Sequence, residues 1–448
     1  MMKLQITDVA WIGTSFLDPN SSAFRYNGVY HKAIRPTAQP WMQSDHLDAF
    51  LRLCWEKGFI PKTERADITI DGFLTVYRQQ TDAFSVFPRY FLPEYAKSAA
   101  FLFLDMNLWL LRRGMGLADG HTGNFVATGN MDARFCDIGS IIKIPDNSRR
   151  GLAEFIRYFM VPLLIRGKSP GAGDLMRYYL STGFYFDTLD LFPDIKEKIF
   201  VTGPREKMLL YLREMLVSLV FAYRDTTWSA YNLPTEHGLL QAEGSGRVAV
   251  FDAILDWLRP KKVIDMGANA GFFSIRAARA GADVLAVEPD ESALTRLFFF
   301  LKQGHAFPGT VKLMTGGLND AAFLAGQNAD LALALALTHH LYFTQKRPWA
   351  GIARDMALLT KANLLTEFMP QGTYGREHQH TYPANYSLDN FREQLLRFFG
   401  RVEVIRSGQS DSATAPRTFL LCEDKRERPL GEEYPDFYYG LPPAVSIK

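Results

Sequence analysis

The rhythm of apolar and polar positions changes three times along this chain. Through residues 1–92, short runs such as DVAWIGTSF, AFRYNGVYHKAI and ITIDGFLTVYR mix aromatic and β-branched residues with turn residues, the pattern of a small sheet. One helical stretch, Asp45–Gly58, interrupts it. From Pro93 to Arg113 the apolar spacing becomes helical and ends at Gly114. The segment LADGHTGNFVATGNMDARFCDIGS, Leu117–Ser140, then reads as loop, short strand, turn and strand. Residues 150–224 predict several helices, EFIRYFMVPLLI and REKMLLYLREMLVSLVFAYR among them. The pattern lapses over Thr226–Gly246, which marks a junction. Beyond it, KKVIDMG, DVLAVEP, TVKLMTG, DLALALAL, ANLLTEF, RVEVIRS and RTFLLCE read as strands, with helical patterns between the first six. No internal repeat or low-complexity tract is present.

These rhythms predict an α+β domain over 1–225, with a sheet lobe to about 92 and a helical lobe from 93. They predict a doubly wound α/β domain with seven strands over 226–425. The tail 426–448, rich in Pro and Tyr, is expected to wrap the surface or fray. Fifty basic and forty-eight acidic residues leave a net charge of +2, so no global field favours nucleic acid or an anionic membrane. Phosphate binding would need a local site. The N-terminus lacks the charged start and apolar core of a signal peptide, and runs such as Leu331–Leu337 are too short to span a bilayer. Cys54, Cys136 and Cys422 have no metal-ligand spacing and read as buried thiols in a reducing cytoplasm.

The densest chemistry lies in VIDMGANAGFF. An apolar strand leads into Asp265, Gly267, Asn269 and Gly271, and an amphipathic helix follows. Glycine lets the chain turn sharply and approach a ligand. Glu288, at the end of the next strand, can hold both hydroxyls of a ribose. The spacing D-x-G-x-x-x-G departs from the dinucleotide fingerprint G-x-G-x-x-G, and the acidic strand end suits a cationic amino-acid group better than a pyrophosphate. From Val263 to about Glu423 the chain resembles class I S-adenosylmethionine-dependent methyltransferases. The resemblance implies that Asp265, Gly267, Asn269 and Gly271 form the first cofactor loop and that Glu288 binds the ribose. It makes Asn319 and Asp320 candidates for adenine contacts, though both could equally cap the next helix. His339 and His340 follow the fourth strand, where an open parallel sheet presents its ligands. Either could take a proton from a methyl acceptor, or merely bond a backbone group. Glu367, Arg376, His378 and His380 lie on the same rim. His-x-His can ligate zinc or iron, but no third histidine stands nearby in sequence. The amino-methylation signature NPPY is absent and no basic stripe is present, so DNA is not the expected substrate.

The Leu117–Ser140 segment carries a second constellation. Asp119, Asn124 five residues on, and Asp137-Ile138-Gly139 follow a long helix at the spacing phosphoryl transfer requires. This region resembles the catalytic loop and metal-binding turn of the kinase-like superfamily. The resemblance implies Asp119 as base, Asn124 and Asp137 as magnesium ligands, and Lys32 as the ATP phosphate anchor, with Asp48 or Glu56 as the lysine's partner. No G-x-G-x-x-G loop is present, and Asp18–Gly28 is its best substitute. Ala118 and His121 stand where arginine and lysine are usual, which favours small-molecule over protein substrates. The same residues could also be ordinary turn formers. Across most of the chain, RYFLPEYAKSAA, WSAYN, LALTHHL and LLTEFMP resemble bacterial nodulation- or surface-polysaccharide-related methyltransferases, implying a glycan or lipid-linked saccharide acceptor. The expectation is therefore a methyltransferase acting on an acceptor oxygen, whose kinase-like half phosphorylates the same small acceptor. A pseudokinase acceptor- or partner-binding lobe, and a ligand-binding regulator without turnover, stand as alternatives.

Overall fold

A computed structural model describes residues 2–12, 18–80, 82, 84–185, 193, 203–224, 226, 246–373, 380–406 and 417–426. The WSAYN motif, Arg376, His378 and the tail beyond Arg426 lie outside the described residues. In the first third, strands β1 (Met2–Leu4), β2 (Ala10–Trp11), β3 (Ser21–Tyr26), β4 (Val29–Ile34), β5 (Thr63–Arg65), β6 (Ile68–Ile70) and β7 (Thr75–Gln79) form. Five of them make an antiparallel sheet in the order β2-β3-β4-β7-β5, and β1 pairs with β6 beside it. Asn27 and Gly28 turn the β3–β4 hairpin with φ of 49° and 76°, the left-handed pair that a two-residue loop needs. Lys32 lies on β4 between Ala23 and Tyr77. Helix α1 (Leu47–Glu56) buries Leu47, Leu51 and Cys54 on one face.

Helix α2 (Pro93–Leu111) starts on a proline, whose missing N–H costs nothing at that position. Strand β8 (Met115–Leu117) follows it and pairs with β11 (Ile141–Lys143); the hairpin β9 (Phe125–Thr128) and β10 (Asp132–Phe135) lies between them in sequence. Then come α3 (Leu152–Phe155), a π-helical turn (Ile156–Met160), α4 (Val161–Lys168), α5 (Gly173–Thr182) and α6 (Arg205–Ser218). The helix expected to reach Arg224 stops at Ser218. Leu219 and Phe221 turn into the core, and the carbonyls of Leu219 and Ala222 are taken by the Lys97 ammonium and the Arg166 guanidinium.

The second half alternates as its sequence does. Helix α7 (Gly246–Leu258) leads into β12 (Lys262–Met266), α8 (Phe272–Arg279), β13 (Asp283–Glu288), α9 (Glu291–Leu301), β14 (Val311–Thr315) and α10 (Ala321–Ala325). The series continues with β15 (Ala329–Ala334), α11 (Trp349–Leu358), β16 (Thr360–Phe368), α12 (Leu388–Leu396), β17 (Phe399–Arg406) and β18 (Thr418–Lys425). The seven strands run in the order β14-β13-β12-β15-β16-β18-β17. The first five are parallel, and β18 is antiparallel to both of its neighbours. Strand order reverses between β12 and β15, the crevice where open α/β sheets bind ligands.

The halves share their packing. One buried cluster joins Leu51, Phe103 and Phe155 to Val263, Leu297 and Leu421, and the core on the other face of the large sheet takes in Phe84 and Tyr90. The β9–β10 hairpin covers the open edge of β14: Asn130 Oδ1 accepts the Val311 N–H at 3.1 Å, and buried Lys312 bonds the Ala127 carbonyl and the Asp82 carboxylate. Among the described residues no helix is long and apolar enough to cross a membrane.

Candidate functional site

Three left-handed residues within five positions, Gly267 (φ 73°), Asn269 (φ 53°) and Gly271 (φ 85°), swing the chain from β12 into α8. Gly271 is required there twice over, since a Cβ would also meet Leu297 Cδ2 at 2.3 Å. The turn aims the Asn269 N–H at Glu288 Oε2 (2.8 Å), while Asp290 N–H reaches Oε1 (2.9 Å). Burial pushes the Glu288 carboxyl up to about 7 against those two N–H groups. Asp265, the penultimate residue of β12, accepts the Ser274 hydroxyl at 2.6 Å and is pushed by burial to about 6. Two costly buried carboxylates at one strand–turn–helix junction fit a ligand bearing ribose hydroxyls and a cationic end.

On the third strand's loop, Asn319 is exposed and Asp320 is occupied: its Oδ2 accepts the Gly317 N–H at 3.0 Å and its Oδ1 the Tyr90 hydroxyl at 3.1 Å. Asp320 precedes α10 at its N-cap position but makes no side-chain cap bond to it, its two oxygens being taken by Gly317 and Tyr90 instead. Beyond β15, His339 and His340 lie with ring centroids 4.0 Å apart. Burial drives His339 down to about 3, with His340 and Arg417 adding to it, and also lowers His340. The buried Nδ1 of His339 has no hydrogen-bond partner among the described residues. Next to them Glu367, fully buried, takes two bonds of 2.7 Å from Arg247 and lies 3.5 Å from Arg417. Arg247 was not legible in the sequence, since it lies in the poorly patterned stretch just past Gly246. Among the described residues no group of three or more His, Cys, Asp and Glu could hold a metal ion, and His380 is exposed.

In the first half, Lys32 Nζ reaches Asp137 Oδ1 at 2.6 Å across 105 residues of chain. The acidic partners expected on α1 do not serve it: Asp48 binds Arg65 and Tyr77, and Glu56 binds Arg52 on the surface. The Asp18–Gly28 segment folds over the same turn. Asn20 Nδ2 bonds the Gly139 carbonyl at 2.8 Å, and a Cβ on Gly139 would collide with Asp18. Burial and the neighbouring Asp137 raise the Asp18 carboxyl. Asn124, nine-tenths buried, has an Nδ2 without a hydrogen-bond partner among the described residues.

Asp119 is anchored by its own N–H on Ser140 Oγ (2.8 Å) and accepts the His121 N–H at 3.0 Å. His121 Nδ1 accepts the Gly123 N–H, which leaves the ring proton on Nε2, 3.2 Å from Asp119 Oδ2. Burial would raise Asp119, but the bonds from His121 outweigh it and hold the carboxyl at about 2. Glu154 of α3, which the sequence did not single out, accepts the Gly120 N–H at 3.1 Å. Burial and its hydrogen bond to Asp119 push Glu154 up to about 7.

No family model and no curated protein matches the sequence. Solved structures similar to the chain include methyltransferases. One is the bifunctional kinase-methyltransferase WbdD, at 18% identity and a TM-score of 0.32, covering 40% of this chain and 38% of that one. Another is the magnesium protoporphyrin IX methyltransferase ChlM from Synechocystis PCC 6803 with bound SAM, at 16% identity and a TM-score of 0.31, covering 45% of this chain and 100% of that one. A third is the methyltransferase domain of bacterial CtHen1, at 16% identity and a TM-score of 0.31, covering 41% and 99%. This chain thus spans less than half of the WbdD structure it matches.

Proposed function

We propose that the C-terminal half transfers a methyl group from S-adenosylmethionine to an oxygen of a saccharide-like or other small acceptor, and that the N-terminal half is kinase-like and binds MgATP. One observation carries the first part: the Gly267–Gly271 turn, which gathers Asp265 and Glu288 at the switch point of the sheet. Glu288 accepts the ribose hydroxyls, and Asp265 with the glycine turn receives the amino-acid end. When bound, S-adenosylmethionine would supply an electrophilic methyl group, the sulfur–methyl bond breaking to leave S-adenosylhomocysteine as the acceptor oxygen bonds to the methyl carbon and gives up its proton. His340 takes that proton. His339, stripped of basicity by burial, stays neutral and offers its unsatisfied Nδ1 as a hydrogen-bond partner for the acceptor. In the first half, Asn124 and Asp137 would hold magnesium and Lys32 would neutralise phosphate charge, while Asp119 would receive the acceptor's hydroxyl proton as that oxygen bonds to the terminal phosphorus and ADP leaves.

A second reading has its own support. Lys32 is neutralised by Asp137, and the Asp18 loop lies on the Asp137–Gly139 turn, so phosphates and metal would have to displace existing polar contacts. That arrangement favours an N-terminal half that binds acceptor or partner without turnover. Calorimetric titration of S-adenosylmethionine and of MgATP into the wild type and into Asp137→Ala separates the readings. Binding of both ligands, with MgATP binding lost in the variant, is the expected result. Failure of S-adenosylmethionine to bind the wild type would sink the methyltransferase reading, and failure of MgATP alone would leave the scaffold.

A further inference from the structure

The carboxylate assigned to the ribose is held in place by contacts that begin in the other half of the chain. Glu288 receives the N–H of Asp290, and Asp290 caps α9 by accepting the N–H groups of Ser292 (2.9 Å) and Ala293 (3.3 Å). The first residue of that helix, Glu291, is gripped by two arginines of the N-terminal half. Arg166 of α4, 1% exposed, reaches it at 3.1 Å, and Arg177 of α5 takes its other oxygen. The approach is so close that a Cβ on Gly173 would collide with the Glu291 carboxylate. Thr226 bonds the second oxygen of Asp290. Beyond β14, Tyr90 bonds Asp320 at 3.1 Å and stacks on Phe323 with centroids 4.9 Å apart. Asp320 in turn fixes the Gly317 N–H at the end of β14.

The two loops that flank an adenosine in this sheet, after the second and third strands, are therefore both tied to the N-terminal half. We infer that Arg166, Arg177 and Tyr90 are positioning residues for the cofactor, so that the N-terminal half sets the affinity of the C-terminal half for S-adenosylmethionine. This rests on the cofactor reading above. The physical reason is a population argument. A loop free to leave its binding geometry lowers apparent affinity by the fraction of time it is away. Two guanidinium groups converging on the first residue of α9, three residues past Glu288, restrict that departure. The contacts at the far end of the same helix make the comparison sharp. Lys302 also joins the halves, through Asp132 (2.7 Å) and the Met131 carbonyl (2.9 Å), but it lies past the end of α9, away from the loop.

The test is calorimetric titration of S-adenosylmethionine into the full chain carrying Glu291→Gln, Tyr90→Phe or Lys302→Met, with thermal melting of each. The expected result is about a tenfold loss of affinity in Glu291→Gln and a smaller loss in Tyr90→Phe. Lys302→Met binds as the wild type does. If the first two variants keep wild-type affinity, or if Lys302→Met loses as much as they do, the inference is overturned. Should Glu291→Gln fail to fold, Tyr90→Phe against Lys302→Met decides alone, since it removes only one hydroxyl. A wild type that binds no S-adenosylmethionine overturns the cofactor reading itself, which is a distinct outcome.

Discussion

Glu288 carries two opposed demands. Folding buries its carboxyl and raises it to about 7, above the value near ~4.3 of an unfolded chain. Between those values the native state binds the extra proton, so this group's contribution to stability is present at low pH and is lost as pH rises through about 7. Ribose hydroxyls, in contrast, are held best by the ionised carboxylate. Affinity for S-adenosylmethionine is therefore expected to rise with pH and level off above about 7, falling off by up to roughly tenfold per unit below it. Isothermal titration one pH unit on either side of that value checks the prediction, with Glu288→Gln as the variant that binds weakly and without this pH dependence. A wild-type affinity that is flat across the interval would mean that the ribose is held elsewhere. The same logic separates the two histidines. Adjacent in sequence, they differ in environment, and only the surroundings tell that burial has taken His339 down to about 3.

At the scale of elements, the turn between β12 and α8 shows how much was legible. Gly267 and Gly271 announce left-handed backbone in the sequence itself, and the structure gives them φ of 73° and 85°. Gly271→Ala is expected to cost about 2–4 kcal/mol, from left-handed strain and from the overlap with Leu297. Urea unfolding of the variant measures it, and a loss below a few tenths of a kcal/mol would show that α9 can shift to make room. The seven strands of the large sheet were legible for a similar local reason, since apolar β-forming runs alternate with helical spacing. Their final order was not. Strand β18 inserts between β16 and β17, a choice made by pairing partners rather than by any residue's own preference. Helix α6 was overestimated because its apolar spacing continues past Ser218, whereas Lys97 and Arg166 take carbonyls just beyond it. The partner of Lys32 was missed on α1 for the same kind of reason. Asp137 approaches it from 105 residues away, and no spacing rule reaches that far.

The whole molecule behaves as more than two joined halves. Its largest buried cluster crosses from α2 and α3 into α9 and the central strands, and the second takes Phe84 and Tyr90 from the segment between β7 and α2. Lys312 concentrates the dependence. It is on the edge strand β14, its side chain is 1% exposed, and its ammonium is satisfied by Asp82 and the Ala127 carbonyl, both from the other half. Removing the Asp82 charge leaves an ammonium that water cannot reach, whereas replacing Lys312 leaves the Asp82 carboxylate, which is 17% exposed and still accepts the Gly129 N–H at 2.6 Å. Asp82→Asn is expected to destabilise the protein by about 3 kcal/mol, and Lys312→Met by much less. Because the clusters are shared, scanning calorimetry of the wild type is expected to give one transition whose calorimetric and van't Hoff enthalpies agree. The Asp82→Asn chain should melt at a lower temperature in the same single step. Two transitions in the wild type, with only the second moved by Asp82→Asn, would mean that the halves fold independently and that β14 carries its buried lysine without help from the first half.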